Sequence, residues 1–528
     1  MPISSNDDRV YLDSVYFEPV YLKHSYQLAP SQQNNSSSLD TPSTLYQSNI
    51  NKAQALLSEF QAGNEQALKT FQDRHPKGND KGFSPTLLDA RLLVSREHFH
   101  QQNLNLEQLK KDAKQLLKWL KKGTDNAIQR LNRHHPKAKT LVEGIEPSYK
   151  LADAQLIIAR ENGLGSWPRL KRHLEQLSLA EAQVESKKSL DGDLRTLHIR
   201  CGTDIREALP AAGFKGDFKP VINPFPQGPV PPSEPVEVFA KARSNFVDSA
   251  YGDSNDPEAV DDSVKLFIEE EQLLRALPAQ YERICLWFEH DCFDQLCFAY
   301  LLHHLAKLNL SGVKLELIQV NQFPGIRRFI GIGQLSQKPA SLALLWQHRQ
   351  SITPKMMSFG ASVWQAFTEQ TPSHWLQLAN EHASPLPIMQ DAMLRLLCEL
   401  PAQENGLSLT QNLSLKILAR AGALKPAQIF HFLMAEEEPQ AYLGDIMFLH
   451  NLRELSESDR PAISFEFIEQ HDHPLLREKV SITEAGRALL AGKLNWMDLN
   501  PEPRWLGGTV FQSGQKNSLW ANGKVLVQ

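Results

Sequence analysis

The chain has 528 residues, 41% of them apolar and 22% charged, with a formal net charge of −5. That length exceeds one ordinary core and predicts about three domains, and the mildly acidic balance gives no global reason to expect a nucleic-acid binder. Apolar runs such as Ile284 to Phe288 fall far short of the roughly 20 residues that span a bilayer.

Residues 1–25 carry Asp7, Asp8, Arg9, Asp13 and Glu18 in place of the apolar stretch of a signal peptide. The sequence therefore predicts a soluble, cytoplasmic protein with no membrane partner. Its five cysteines (Cys201, Cys285, Cys292, Cys297 and Cys398) form no CxxC pair, which argues for reduced thiols over a disulfide framework or a zinc module. Charge is unevenly spread. Residues 101–180 hold 15 Lys and Arg against 8 Asp and Glu, a local net of +7, which suits either an anionic partner or a well-solvated set of helices.

Residues 1–50 read as an N-terminal arm and flexible linker. Alternating aromatic and polar residues at 10–27 predict one or two short strands, and Asn34 to Ser38 with Pro42 leave little to bury over 29–49. An internal repeat follows and defines a helical domain at 51–178. Leu56, Leu57, Phe60, Gly63, Ala67, Phe71, His75, Pro76 and Lys77 return as Leu116, Leu117, Leu120, Gly123, Ala127, Leu131, His135, Pro136 and Lys137. Leu87, Asp89, Ala90 and Arg96 likewise return as Leu151, Asp153, Ala154 and Arg160. The spacing describes helical stripes, with the shared glycine closing one helix and His-Pro ending the next.

An α/β domain is predicted over 195–384. Short strands at 197–201, about 221–222, 284–288 and 315–320 alternate with helices at about 205–209, 263–276 and 292–307, the pattern of a parallel or mixed sheet. Seven prolines in 219–235 make that stretch an extended loop. Helices continue over 338–384, with Trp346, Trp364 and Trp375 as core anchors. Residues 385–528 predict helices at 389–398, 408–421 and 426–434, then a strand and short helix from Val480 to Ala491. That order is compatible with a winged-helix-type fold. The fold class expected is thus a two-copy helical repeat, an α/β sheet domain and a winged-helix-like C-terminal domain.

Two loops carry chemistry. Gly202, Thr203 and Asp204 follow the first strand, where a helix N-terminus binds anions or where Thr203 or Asp204 caps the helix. The stretch Glu289-His290-Asp291-Cys292-Phe293-Asp294-Gln295 follows the buried strand at 284–288 and opens a long helix. In open α/β sheets, ligands bind at the carboxyl ends of strands. Glu289, His290, Asp291 and Asp294 are the candidate catalytic residues, suited to acid–base chemistry or to holding a divalent metal. Gly202, Thr203, Asp204, Asn223 and Gln295 are the candidate ligand contacts. The competing reading makes Asp291 and Asp294 ordinary cap and first-turn acids. A zinc site from Cys292, Cys297, His290, His303 and His304 is disfavoured, because residues five apart face different sides of a helix.

Two resemblances sharpen this reading. Leu151-Ala152-Asp153-Ala154-Gln155 and Ser166-Trp167-Pro168-Arg169-Leu170-Lys171 resemble the helical segment that precedes ankyrin repeats in many bacterial proteins, which implies a scaffold or interaction role. From Leu197 to Val510 the chain resembles a bacterial family catalogued as domain of unknown function 1835. LHIRCGTDIREAL, VINPFPQGPV, LWFEHDCFDQLCFAYLLHHL, PLPIMQDAMLRLLCELPAQENGLSLT, the Tyr442-Leu443-Gly444-Asp445 turn and Arg504-Trp505-Leu506-Gly507-Gly508 carry it. The first loop of that family usually reads Gly-Asp-Ser or Gly-Asp-Ala, so Gly202-Thr203-Asp204 implies an acid displaced by one residue. Asn223 stands where members often have aspartate.

The function expected is binding of a small anionic ligand, a nucleotide or a divalent metal at the strand ends. The alternative is a non-enzymatic regulatory or scaffold protein acting through the helical repeat and the winged-helix-like region. A protein partner is favoured there over DNA, since helix 408–421 offers only Lys416 and Arg420 to phosphates.

Overall fold

The computed structural model describes residues 44–527 apart from 76, 81, 100–102, 139–148, 253–256, 472, 501 and 522–523. The alternating segment at 10–27 lies outside the described residues, as does the expected linker up to residue 43. Its last residues do not form a linker: Thr44 already opens a helix, and Asn49 is fully buried in it.

Among the described residues seven helices come first: α1 (Thr44–Gln61), α2 (Glu65–Arg74), α3 (Leu87–Arg96), α4 (Leu106–Lys121), α5 (Asp125–His134), α6 (Leu151–Glu161) and α7 (Trp167–Glu185). Equivalent positions do equivalent work. Gly63 and Gly123 both take left-handed φ, +77° and +65°, the conformation that lets a helix end in a tight turn. Ala67 and Phe71 on α2 and Ala127 and Leu131 on α5 are all buried. His75 Nε2 lies 3.3 Å from Asp89 and His135 Nε2 lies 3.3 Å from Asp153, while each Nδ1 accepts from the backbone N–H of Lys77 or Lys137. The repeated histidine therefore clips the second helix of each unit to the third.

The central sheet has five strands: β1 (Thr196–Arg200), β2 (Asp217–Pro220), β3 (Arg283–Glu289), β4 (Lys314–Val320) and β5 (Gln350–Ser351). Their order is β2-β1-β3-β4-β5, with the first four parallel and β5 antiparallel to β4. Every residue of β1 and β3 is buried, as helices on both faces require. The period of two is visible in β3. Ile284, Leu286 and Phe288 join one apolar cluster, and Cys285 and Trp287 join the other. That second cluster continues into Leu116, Leu131, Ile157 and Leu170, so the second helical unit covers one face of the sheet.

Between the strands lie α8 (Ala208–Ala212), α9 (Val236–Tyr251), α10 (Pro257–Gln280), α11 (Cys292–Leu305) and α12 (Pro339–Gln347). The first is a five-residue helix displaced from the expected 205–209, and β2 precedes the expected 221–222. Helix α9 escaped the sequence reading, although Phe239, Ala240, Arg243 and Ser244 mark its buried side at helical spacing. Then come α13 (Pro354–Phe367), α14 (Ser373–Ala379), α15 (Pro387–Leu397), α16 (Leu409–Ala421), α17 (Pro426–Phe432) and α18 (Asp445–Glu454). Trp346, Trp364 and Trp375 are buried anchors, as expected. The antiparallel pair β6 (Ile463–Phe467) and β7 (Glu478–Ile482) precedes α19 (Glu484–Leu490) and α20 (Trp496–Leu499). Two further small antiparallel pairs end the chain. The architecture is mixed α/β, a predominantly helical chain around one mixed sheet.

Candidate functional site

The order β2-β1-β3-β4 sends the chain from β1 to one side of the sheet and from β3 to the other. The carboxyl ends of these two neighbouring strands thus flank a topological switch point, where open α/β sheets form their ligand crevice. Arg200 ends β1 opposite Trp287, and β3 runs two residues further to Glu289. The junction that follows is capped by its own sequence: Asp291 Oδ1 accepts the Asp294 N–H at 2.9 Å and starts α11. The cap reading of Asp291 is correct, and the same residue also belongs to a buried cluster.

Arg200 is the hub of that cluster. Its Nη1 donates to Asp294 Oδ1 at 2.5 Å, and its Nη2 donates to Glu289 Oε2 at 2.8 Å and to Asp204 Oδ2 at 3.0 Å. Asp204 therefore does not cap a helix, because α8 starts four residues later. Asp294 Oδ1 also accepts the Glu289 N–H at 2.9 Å. Arg200, Glu289, Asp291 and Asp294 are each at least 93% buried, so this is one guanidinium among three enclosed carboxylates with a fourth, Asp204, at the rim.

Burial dominates the electrostatics. It pushes the Glu289 carboxyl up to about 8, against the pull of Arg200 and with help from Asp294 and Asp204. Burial likewise raises Asp291 well above the carboxylate range, reinforced by Asp294 and Glu289, and it raises Asp294 against the pull of Arg200. Burial opposes the charge on Arg200, but its three carboxylate partners outweigh it and keep the guanidinium protonated. His290 is depressed to about 4 by burial and by Arg328, and its Nδ1 lacks a hydrogen-bond partner. It is a neutral imidazole at physiological pH.

A segment that sequence reasoning overlooked covers the acids. Gly331-Ile332-Gly333 crosses the cluster between β4 and α12, and the Ile332 N–H donates to Glu289 Oε2. A Cβ at Gly331 would stand 2.5 Å from Glu289 Oε1, and one at Gly333 would stand 2.5 Å from Asp204 Oδ2. Only glycine allows the backbone to lie this close. The Gly-x-Gly spacing was the available signal, but it follows no apolar period.

The other candidates separate. Gln295 supports the cluster from below: its Nε2 donates to the Glu289 carbonyl and its Oε1 accepts from Gln319 at 3.0 Å. Gly202 takes φ +98° in the turn between β1 and Asp204, and the Thr203 carbonyl accepts the Arg206 N–H at 3.1 Å. Asn223 lies beyond β2 and accepts from Arg243 Nε at 3.1 Å, with no hydrogen bond to the acidic cluster. The cysteines face other partners: Cys292 donates toward the Ala392 carbonyl at 3.3 Å, and Cys297 sits 3.8 Å from Cys201.

A divalent cation fits the donor set. Glu289, Asp291 and Asp294 each offer a carboxylate oxygen within 4.8 Å of the others. Oxygens that share one hard cation at about 2.0–2.6 Å fall within about 4–5 Å of each other. The hydrogen bonds of Glu289 and Asp291 fall on Oε2 and Oδ1, which leaves Oε1 and Oδ2 for an ion. No family model, curated protein or solved structure matches this chain.

Proposed function

We propose that this protein binds a divalent cation through Glu289, Asp291 and Asp294 and, over it, a small anionic ligand of the nucleotide or phosphorylated-metabolite class. One observation carries the reading: three enclosed carboxylates cluster at the switch point of the sheet, where a single arginine pairs with two of them, Glu289 and Asp294. Buried charges are stable only when paired, protonated or metal-bound, and a hard cation supplies the missing charge. Once bound, such an ion would polarise a phosphate or carboxylate oxygen of the ligand. Arg200 would orient Asp294 and Glu289, Asp291 would hold the first turn of α11 and one face of the ion, and the neutral His290 would be available to take a proton. The residues that build this site fall inside the stretches resembling the domain-of-unknown-function 1835 family, and membership of that family is part of the proposal.

The test is a thermal-shift and equilibrium-dialysis comparison of the full chain with Mg²⁺ and Mn²⁺ after chelation. A ligand of the native state raises the melting midpoint by mass action. Asp291→Asn and Asp294→Asn are expected to abolish the shift, and a wild-type protein that neither shifts nor retains metal would sink the reading.

One observation favours a second role for the C-terminal part. The order α16, α17, α18, β6, β7, with Leu424 bridged to Val480, supports a winged-helix-like arrangement. The helix that would read DNA in it is α18, not α16. It is spoken for: the Met447 carbonyl accepts from Gln227 at 3.0 Å, His450 packs on Phe246, and Arg453 pairs with Glu478. That counts against α18 reading DNA. The second helical unit spends its apolar face on the sheet, which counts against a free scaffold.

A further inference from the structure

Residues 321–338, which carry Gly331 and Gly333 over the carboxylates, are fastened by two distant parts of the chain. The Arg328 N–H donates to the His98 carbonyl at 2.9 Å. Its guanidinium donates to the Met434 carbonyl at 3.0 Å and to the Glu438 carbonyl. Gln334 Nε2 donates to the Phe99 carbonyl at 2.8 Å and to the Arg328 carbonyl at 3.0 Å. Its Oε1 accepts the N–H groups of Ile330 at 2.7 Å and Gly331 at 3.2 Å, and so shapes the turn that lays Ile332 on Glu289. His98 and Phe99 follow α3, and Met434 and Glu438 follow α17. The anchors are themselves joined, since Arg91 pairs with Glu436, and Asn49 donates to Glu436 at 3.1 Å.

Arg328 is held by carbonyl oxygens, with no carboxylate in an ion pair among the described residues, so it regains hydration when it lets go. The only helix in the segment among the described residues is one short 3₁₀ turn, Ile332–Leu335, and Gly325 takes φ +86° near its start. While the segment is down, Glu289, Asp291 and Asp294 keep under a tenth of their surface. That enclosure slows the entry of an ion, and a nucleotide-sized ligand needs a cavity of about 300–1,000 Å³.

We propose that residues 321–338 are a gate over the carboxylates, latched by Arg328 and Gln334 to the segments after α17 and α3, and that releasing the latches admits the anionic ligand. This rests on the ligand-binding reading above. It also makes the helical unit and the C-terminal part regulators of access, because a partner that moves either one withdraws a latch.

Hydrogen–deuterium exchange on the full chain tests it, comparing wild type with Arg328→Gln and Gln334→Glu. Gln334→Glu keeps the acceptor for Ile330 and Gly331 and loses both donations. Exchange across 326–335 is expected to rise by about tenfold or more in each variant, the equivalent of one lost hydrogen bond of this kind, with β3 unchanged. Terbium uptake, read by tryptophan-sensitised luminescence, is expected to quicken alongside. Unchanged exchange over 326–335 in both variants overturns the gate, as does opening of β3 together with the segment. Faster exchange with no terbium binding would leave the gate standing and defeat the cation reading instead.

Discussion

Glu289→Gln should cost the unliganded protein almost nothing at pH 7, although it removes a carboxylate bonded to a buried arginine. Burial raises Glu289 from the ordinary 4.5 to about 8, so at pH 7 the side chain is mostly a neutral acid. Oε2 accepts from Arg200 and Ile332, which leaves the proton on Oε1. Gln reproduces that arrangement, with an amide NH₂ replacing the O–H. The sign of the pH dependence follows from the raised value: stability from this group is fully present below about pH 4.5 and is lost as pH rises through about 8. At about 1.4 kcal/mol for each tenfold change in proton affinity, the loss reaches up to about 5 kcal/mol, shared with Asp291 and Asp294.

The assay is urea unfolding at several pH values between 5 and 8, with chelator and then with Mg²⁺. In chelator the wild type should weaken steadily with pH and Glu289→Gln should keep only a shallower slope, from the raised Asp291 and Asp294. Mg²⁺ should flatten the wild-type profile and leave the variant unaffected, because a cation takes the deprotonated cluster and displaces its protons. A wild type with no pH slope in chelator would refute the reasoning. So would a Glu289→Gln that loses about 3–5 kcal/mol at pH 7, the signature of breaking an ionised buried pair.

Three further outcomes follow from the contacts. Asp291→Asn keeps the cap on Asp294 and should hold stability within about 0.5 kcal/mol, whereas Asp291→Ala should lose about 1 kcal/mol by urea titration; neither should retain Mn²⁺ in equilibrium dialysis. Gly333→Ala forces a methyl to within 2.5 Å of Asp204 Oδ2 and should lower stability by about 1–3 kcal/mol in the same titration, with weaker Mn²⁺ retention. Arg91→Ala removes the guanidinium that pairs with buried Glu436 and should weaken docking of α1–α3 by about 3–5 kcal/mol, read as early release of an N-terminal fragment in limited proteolysis.

The parts of the fold that were legible are those coded by neighbours in sequence. The repeat was visible because each unit closes on itself: Gly63 ends a helix, Phe71 fills a local core and His75 clips to Asp89, all within one unit of three helices. The strand ends were visible because β1 and β3 are short, fully buried runs. The acid cluster was visible because Glu289, Asp291 and Asp294 sit within six residues and the Asp291 cap forces them onto one junction. Helix α9 was missed for the converse reason, since the prolines before it drew attention to the loop and its apolar side is only partly filled.

Arg200 was missed because it ends a strand, where alternation assigns a face and says nothing about partners; its closest ones, Asp294 and Glu289, are 94 and 89 positions away. Residues 321–338 were missed because they act through backbone, and their one trace in sequence, the Gly331-x-Gly333 spacing, follows no apolar period. Both omissions bear on the same quantity. The sequence exposes an excess of carboxylates but not the size of that excess, and the excess decides the chemistry. Had a second arginine met Asp291, the cluster would be a closed structural ion pair. With one arginine for three enclosed acids, the balance must come from protons or from a cation. The two alternatives compete for the same oxygens, so the proton affinity of Glu289 and the metal affinity of the site are one property measured from opposite sides.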